Sequence, residues 1–185
     1  MIYLMRHGLD DERFIGGYSN QHLTNEGVRS VCQARDYIVN KGLVINKIFT
    51  SDILRAKETA SIVNTKINVP IIEMGSLREL NKGLLNGINL EYAKLHYNEW
   101  INVKDVYKRF PEGESLFDLY NKILYNFSDI LKEDNTLLVT HRGVINMIYY
   151  ILTNTKLDYD KEKFNVTHSS IHEYNPILKK IKRIY

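Results

Sequence analysis

Two apolar stretches far apart in the chain end in nearly the same way. Ile2-Tyr3-Leu4-Met5 runs into Arg6-His7-Gly8, and the near-continuous apolar run from Asn135 to Thr140 leads into His141-Arg142-Gly143. Short continuous apolar runs bounded by turn residues suit strands buried on both faces, as in a parallel sheet. Open α/β sheets place their ligands outside the carboxyl ends of such strands. Two central strands of this kind would turn both imidazoles toward one crevice.

The rest of the chain alternates strand and helix patterns. The segment from Leu9 to Tyr18 is acidic and Gly-rich and reads as a loop, and Thr24 is a helix N-cap ahead of Val28, Val31, Ala34 and Ile38 at helical spacing, with Gly42 as the stop. Ile45 to Thr50 is a short strand; Ser51-Asp52 opens a helix carrying Arg55, Ala56, Thr59, Ala60 and Val63; Pro70 to Glu73 is a further strand. A loop from Leu77 to Gly87 and a helix from Leu90 to Trp100 follow, and the stripe Leu116, Leu119, Ile123, Phe127, Ile130, Leu131 predicts one amphipathic helix. A helix runs on from Gly143 to about Leu152, and Val166 to Tyr174 with Ile177 to Ile184 predicts a hairpin. No repeat or linker interrupts the pattern, which argues one α/β domain over residues 1–185.

Composition narrows the function classes. A net charge of +3 on 185 residues is too weak for a nucleic-acid footprint, and Lys179 to Arg183 alternates basic and apolar residues as a solvated edge strand does. No run reaches the length of a membrane span, and Met1 leads directly into a strand rather than a signal peptide, so a cytoplasmic protein without nucleic-acid or membrane partners is expected. Cys32, the single cysteine, lies on the apolar side of its helix and reads as a small core residue.

A third strand end, Ser51-Asp52-Ile53-Leu54-Arg55-Ala56-Lys57-Glu58-Thr59, puts a guanidinium on the first turn of a helix. Helix N-termini and the planar fork of arginine both suit a phosphate-like anion. Two imidazoles and at least two arginines thus converge on one anion site. Together with Leu23-Thr24-Asn25-Glu26-Gly27, Leu77-Arg78-Glu79 and Glu112-Gly113-Glu114-Ser115, these blocks resemble, in order, the histidine phosphatase superfamily, also called phosphoglycerate-mutase-like.

The resemblance implies a three-layer α/β/α sandwich around a mainly parallel, mixed sheet. It implies that His7 is the nucleophile, that Arg6 and Arg55 hold the phosphoryl oxygens, that His141 completes the pocket as a further donor, and that Glu79 is the proton donor. Two arginines and a protonated imidazole can stabilise a transferring phosphoryl group without a metal or organic cofactor, and none is expected. His7 needs a hydrogen bond to its other ring nitrogen to fix the tautomer. Glu79 must deliver a proton to the leaving alkoxide and later take one from water, which predicts a mildly acidic optimum.

After His7 the chain departs from the family pattern: Leu9-Asp10-Asp11-Glu12-Arg13 replaces the common Glu-Thr or Glu-Ser and Trp-Asn. Arg13 and Asn20 are the candidates for the missing phosphate donors, with a solvated loop residue as the plainer reading of Arg13. The three acids must point outward or meet a cation. Arg142 stands where the family often has Gly, either to charge the crevice or to pair with a carboxylate such as Glu114. His168 and His172 have a spacing that could ligate zinc on a helix, but their surroundings favour a strand, which separates the rings.

The expected function is a metal-independent phosphomonoesterase acting on a small phosphorylated metabolite, with inorganic phosphate as product. The alternatives are a phosphoglycerate mutase and a non-catalytic phospho-ligand-binding protein. Leu80-Asn81-Lys82-Gly83-Leu84-Leu85-Asn86-Gly87 lacks the Arg and Tyr usual in mutases, which favours hydrolysis.

Overall fold

The computed structural model describes all residues from Met1 to Tyr185. In chain order it contains β1 (Ile2–Arg6), α1 (Asn25–Asn40), β2 (Lys47–Thr50), α2 (Leu54–Ile67), β3 (Ile71–Glu73), α3 (Leu90–His96), α4 (Asn98–Ile101), α5 (Leu116–Tyr125), α6 (Phe127–Ile130), β4 (Thr136–Thr140), α7 (Arg142–Thr153), β5 (Ile171–Asn175) and β6 (Lys180–Arg183). The strands form one mixed sheet in the order β3-β2-β4-β1-β5-β6. The pairs β3-β2, β2-β4 and β4-β1 are parallel, and β5 and β6 run antiparallel to their neighbours.

The two strands singled out by sequence lie side by side at the centre. Arg6 is in register with Thr140, so His7 and His141 leave adjacent strand ends. β1 and β4 are buried along their whole length because helices cover both faces. Successive side chains of β1 part accordingly. Ile2 and Leu4 pack with Leu119, Ile123, Ile145 and Ile148 of α5 and α7, whereas Tyr3 and Met5 pack with Val31, Ala34, Ala56 and Ala60 of α1 and α2. This is the expected three-layer sandwich. Leu4 and Ile148 are fully buried, and truncating such a side chain to Ala costs about 2–5 kcal/mol.

Thr24 caps α1, accepting from the Gly27 N–H, and Ser115 with Asp118 forms a capping box on α5. Two expected helices are broken. The stripe from Leu116 to Leu131 is divided at Asn126, whose side-chain amide turns back to the Lys122 carbonyl at 2.8 Å, competing with the backbone ladder. The helix over Leu90 to Trp100 is divided at Tyr97 (φ −134°, ψ 32°). The C-terminal hairpin is present, with the lysine-rich strand at the sheet edge, but β5 begins only at Ile171. Ser169 stands at φ 58° and turns the preceding residues away from the sheet. Cys32 is half-buried.

Candidate active site

The motif residues form one connected structure at the carboxyl ends of β1, β4 and β2. Gly8 and Gly27 let the start of α1 pack beneath the end of β1: a Cβ on Gly27 would lie 2.1 Å from the Leu9 carbonyl oxygen, and one on Gly8 would lie 2.6 Å from Val31. The Gly8 N–H donates to Thr59 Oγ1 at 3.0 Å, fixing α2 against the same turn. Ser51 lies 2.9 Å from His141 Nε2. Thr140 donates to the Leu77 carbonyl at 2.7 Å, and Arg78 pairs with Asp52, which seats the segment carrying Glu79. The Asn81 N–H donates to Glu114 at 2.8 Å, so the Glu-Gly-Glu-Ser block braces that segment from the other side.

His7 is almost fully buried. Its Nδ1 lies 2.7 Å from the Gly8 carbonyl oxygen, an acceptor that requires the proton on Nδ1 and leaves the lone pair on Nε2. Arg55 Nε donates to that lone pair at 3.1 Å. Burial, then the charges of Arg55 and its neighbours, hold the His7 imidazole well below its ordinary pKa. It is therefore a neutral base whose free lone pair is on Nε2. Arg55 is buried and also donates to the carbonyl of Gly17 at 2.8 Å and the hydroxyl of Ser19 at 3.1 Å. Arg6 donates to the Val166 carbonyl at 2.9 Å, while its Nε is buried without a partner. Burial lowers the Arg6 guanidinium to about 10, so it stays charged at neutral pH.

The His141 ring centroid is 5.1 Å from that of His7. With Nε2 engaged by Ser51, its Nδ1 is buried and unpartnered on the side of His7. The expectation of a protonated imidazole is corrected here: burial and the charges of Arg55 and Arg6 keep His141 neutral in the ligand-free protein. Glu79 accepts from the backbone N–H of Leu80 at 2.9 Å and of Gly143 at 3.1 Å, the latter in the first turn of α7.

His7, Arg6, Arg55, His141 and Glu79 are thus brought together, and two other candidates are not. The Arg13 side chain is 81% exposed and forks onto Asp11, and Asn20 is exposed. Asp11 therefore has its own surface cation, but Asp10 turns inward, with its carboxylate 3.5 Å from Arg55 Nε. Arg142 lines the cleft and pairs with Glu162 at 2.7 Å rather than with Glu114, which takes Lys122 at 3.2 Å. The difference follows from α7 pointing Arg142 at the loop before β5.

His168 is the site residue that sequence reasoning missed. It sits in the turn before β5, its Nε2 is 2.5 Å from Arg6, and its ring centroid is 5.5 Å from that of His7. Its separation from His172 stands, but the cause is the turn at Ser169 rather than a continuous strand. His172 lies in β5 and bonds to Tyr149 at 2.8 Å and Ser170 at 3.0 Å in the core. Ligand atoms of His7, Asp10 and His168 fall within 4.8 Å of one another, a spacing a metal could use. Arg55 and Arg6 already bond to the two imidazoles, and two guanidinium charges at that point favour an anion over a cation.

A cleft of about 340 Å³ opens from these residues and is walled by Phe14, Trp100, Phe110, Leu116, Met147 and Tyr150. A charged anion pocket with an apolar wall is the form of a small-molecule site. The fold and the paired histidines together define a phosphoglycerate-mutase-like architecture.

The sequence profile of the histidine phosphatase superfamily (branch 1) matches residues 2–184. The chain belongs to that family. It is 33% identical over 150 residues to the probable phosphoglycerate mutase GpmB of Escherichia coli, covering 76% of this chain and 68% of that one. Its fold is similar to the alpha-ribazole phosphatase from Shigella flexneri (TM-score 0.80, 19% identity, 99% and 94% of the two chains). It is also similar to a phosphoserine phosphatase from Entamoeba histolytica in complex with 3-phosphoglyceric acid (TM-score 0.77, 20% identity, 100% and 94%). No helix is long and apolar enough to cross a membrane.

Proposed function

We propose that the protein hydrolyses phosphomonoesters of small metabolites through a phosphohistidine on His7. The observation that carries this is the fixed tautomer: Nδ1 is committed to the Gly8 carbonyl, and the Nε2 lone pair faces Arg55. An incoming phosphoryl group takes over the guanidinium N–H groups and frees that lone pair. Nε2 attacks phosphorus, the bond from phosphorus to the leaving oxygen breaks, and Glu79 gives that oxygen a proton. Arg6, Arg55 and His141 Nδ1 hold the three spreading charges, the largest contribution expected of a protein to phosphoryl transfer. Water then attacks the phosphohistidine as Glu79 takes its proton, and inorganic phosphate leaves.

The similarity to GpmB supports a second reading, mutase activity, in which the phosphoryl group returns to a hydroxyl instead of passing to water. The absence of Arg and Tyr from Leu80 to Gly87 favours hydrolysis. The deciding experiment incubates the protein with an aryl phosphate and with 3-phosphoglycerate, with and without chelator. Release of inorganic phosphate from both, unaffected by chelator and absent in His7→Ala, is expected, with an acid-labile phosphate trapped on His7. Isomerisation of 3-phosphoglycerate would instead establish the mutase, and neither turnover nor a trapped intermediate would leave a binding protein.

A further inference from the structure

Beyond the phosphoryl pocket, the cleft contains cations that the reaction above does not use. Lys82, three residues after Glu79, and Lys161, in the loop after α7, both line it, and neither belongs to the family blocks. Neither ammonium has a carboxylate within ion-pair distance or a hydrogen-bond acceptor. Lys82 is half-buried, and desolvation with the charge of nearby Lys161 lowers its ammonium to about 8. Lys161 is an exposed residue; partial desolvation of its ammonium, then the charge of Arg142, act on it in the same direction. Three cations therefore crowd one side of the cleft.

No carboxylate there reaches ion-pair distance of either lysine. Asp10 lies against Arg55, and Asp158 is taken by Lys163 and Tyr150. Asp160 accepts the Glu162 N–H, and Glu79 is bonded to backbone N–H groups. Glu12 lies at the exposed rim. Two further polar atoms in the same cleft lack partners: Oδ1 of Asn146, a residue only 5% exposed, and the hydroxyl of Tyr159. Asn146 uses its other end to hold the Lys161 carbonyl at 3.2 Å. Leaving the half-buried Lys82 unpaired beside two other cations costs stability, and a bound anion offsets that cost.

We propose that Lys82 and Lys161, with Arg142 at their edge, form a second anion subsite, and that the substrate is a phosphomonoester whose organic part carries another acidic group, carboxylate or phosphoryl. This rests on the phosphatase reading and specifies its substrate class. The phosphoryl group enters between Arg6, Arg55 and His7, and the second anion reaches Lys82 and Lys161. The apolar wall covers what lies between, and the free oxygen of Asn146 accepts from a substrate hydroxyl.

Matched ester pairs test the subsite. 3-Phosphoglycerate and glycerol 3-phosphate differ in one carboxylate, and fructose 1,6-bisphosphate and fructose 6-phosphate differ in one phosphoryl group. Wild-type protein is expected to favour the first member of at least one pair by tenfold or more in kcat/KM, and the pair that discriminates identifies the second anion. Lys82→Met and Lys161→Met are expected to cut that preference at least fivefold, mainly through KM. Equal use of both members, or a preference unchanged in both variants, overturns the subsite. Calorimetric binding of the same pairs to the His7→Ala protein, with and without Lys82→Met, reads the subsite without turnover. Preferential binding lost with Lys82, in a protein that hydrolyses nothing, would retain the subsite and reject the phosphatase.

Discussion

The N–H of Gly143 donates to the Glu79 carboxylate at 3.1 Å, and the same glycine leaves the space that carboxylate fills: a Cβ there would lie 2.1 Å from Glu79 Oε1. Helix propensity alone favours Ala over Gly by about 1 kcal/mol at a helical position. Gly143→Ala is nevertheless expected to lower kcat by roughly tenfold or more, because a proton donor displaced by an ångström loses much of its effect. Steady-state kinetics beside a thermal melt separates the two effects. A variant as active as wild type would show that Glu79 works from another position.

Glu79 matters most when the leaving oxygen is a poor leaving group. Glu79→Gln is expected to reduce kcat/KM for alkyl phosphates by about 10²-fold or more, in the range of general acid catalysis, and to reduce it much less for p-nitrophenyl phosphate. Equal losses on alkyl and aryl esters would remove Glu79 from this role.

Asp10 sets a negative charge 3.5 Å from the Arg55 guanidinium, on the side where phosphate oxygens would bind. Asp10→Asn removes a competitor for that cation, and inorganic phosphate should inhibit roughly fivefold more tightly, equivalent to about 1 kcal/mol of lost repulsion. The inhibition constant for phosphate, measured against an aryl phosphate, is the readout. Weaker inhibition would mean that Asp10 chiefly orients Arg55.

Three buried imidazoles and one half-buried one make folding depend on pH. His7 and His141 are held well below the ordinary value, His168 falls to about 3 and His172 to about 4, burial being the first cause in each. These groups take up protons on unfolding at any pH below the unfolded value of about 6.5. Their stability contribution is therefore intact above about pH 6.5 and lost as pH falls toward the folded values. His172 alone would account for about 3 kcal/mol by pH 4. Urea unfolding should show a midpoint that declines from pH 7 to pH 5, and a constant midpoint would mean that these rings are charged or solvated in the folded protein.

Much of the site was legible because it rests on local chemistry. Arg6-His7-Gly8 and His141-Arg142-Gly143 each end an apolar run, Arg55 opens a helix, and Gly27 follows a Thr cap. Each of these signals is a few residues long and marks a chain boundary that periodicity detects. The three layers followed from the same boundaries, since strands buried on both faces require helices on both sides.

Tertiary structure decided what no short pattern encodes. His168 reaches His7 because Ser169 adopts a left-handed turn and β5 returns antiparallel beside β1. Arg13 was lost to Asp11, two residues away, while the less conspicuous Ser19 reached Arg55. Lys82 and Lys161 share a cleft only because α7 and the segment after Glu79 pack around the same space. The sequence by itself determined the order of the elements and which histidines and arginines stand at the strand ends and helix start around the cleft, since those depend on chain-local periodicity. Which further charges join them depends on packing between distant segments, where one turn or one nearer ion pair redirects a side chain.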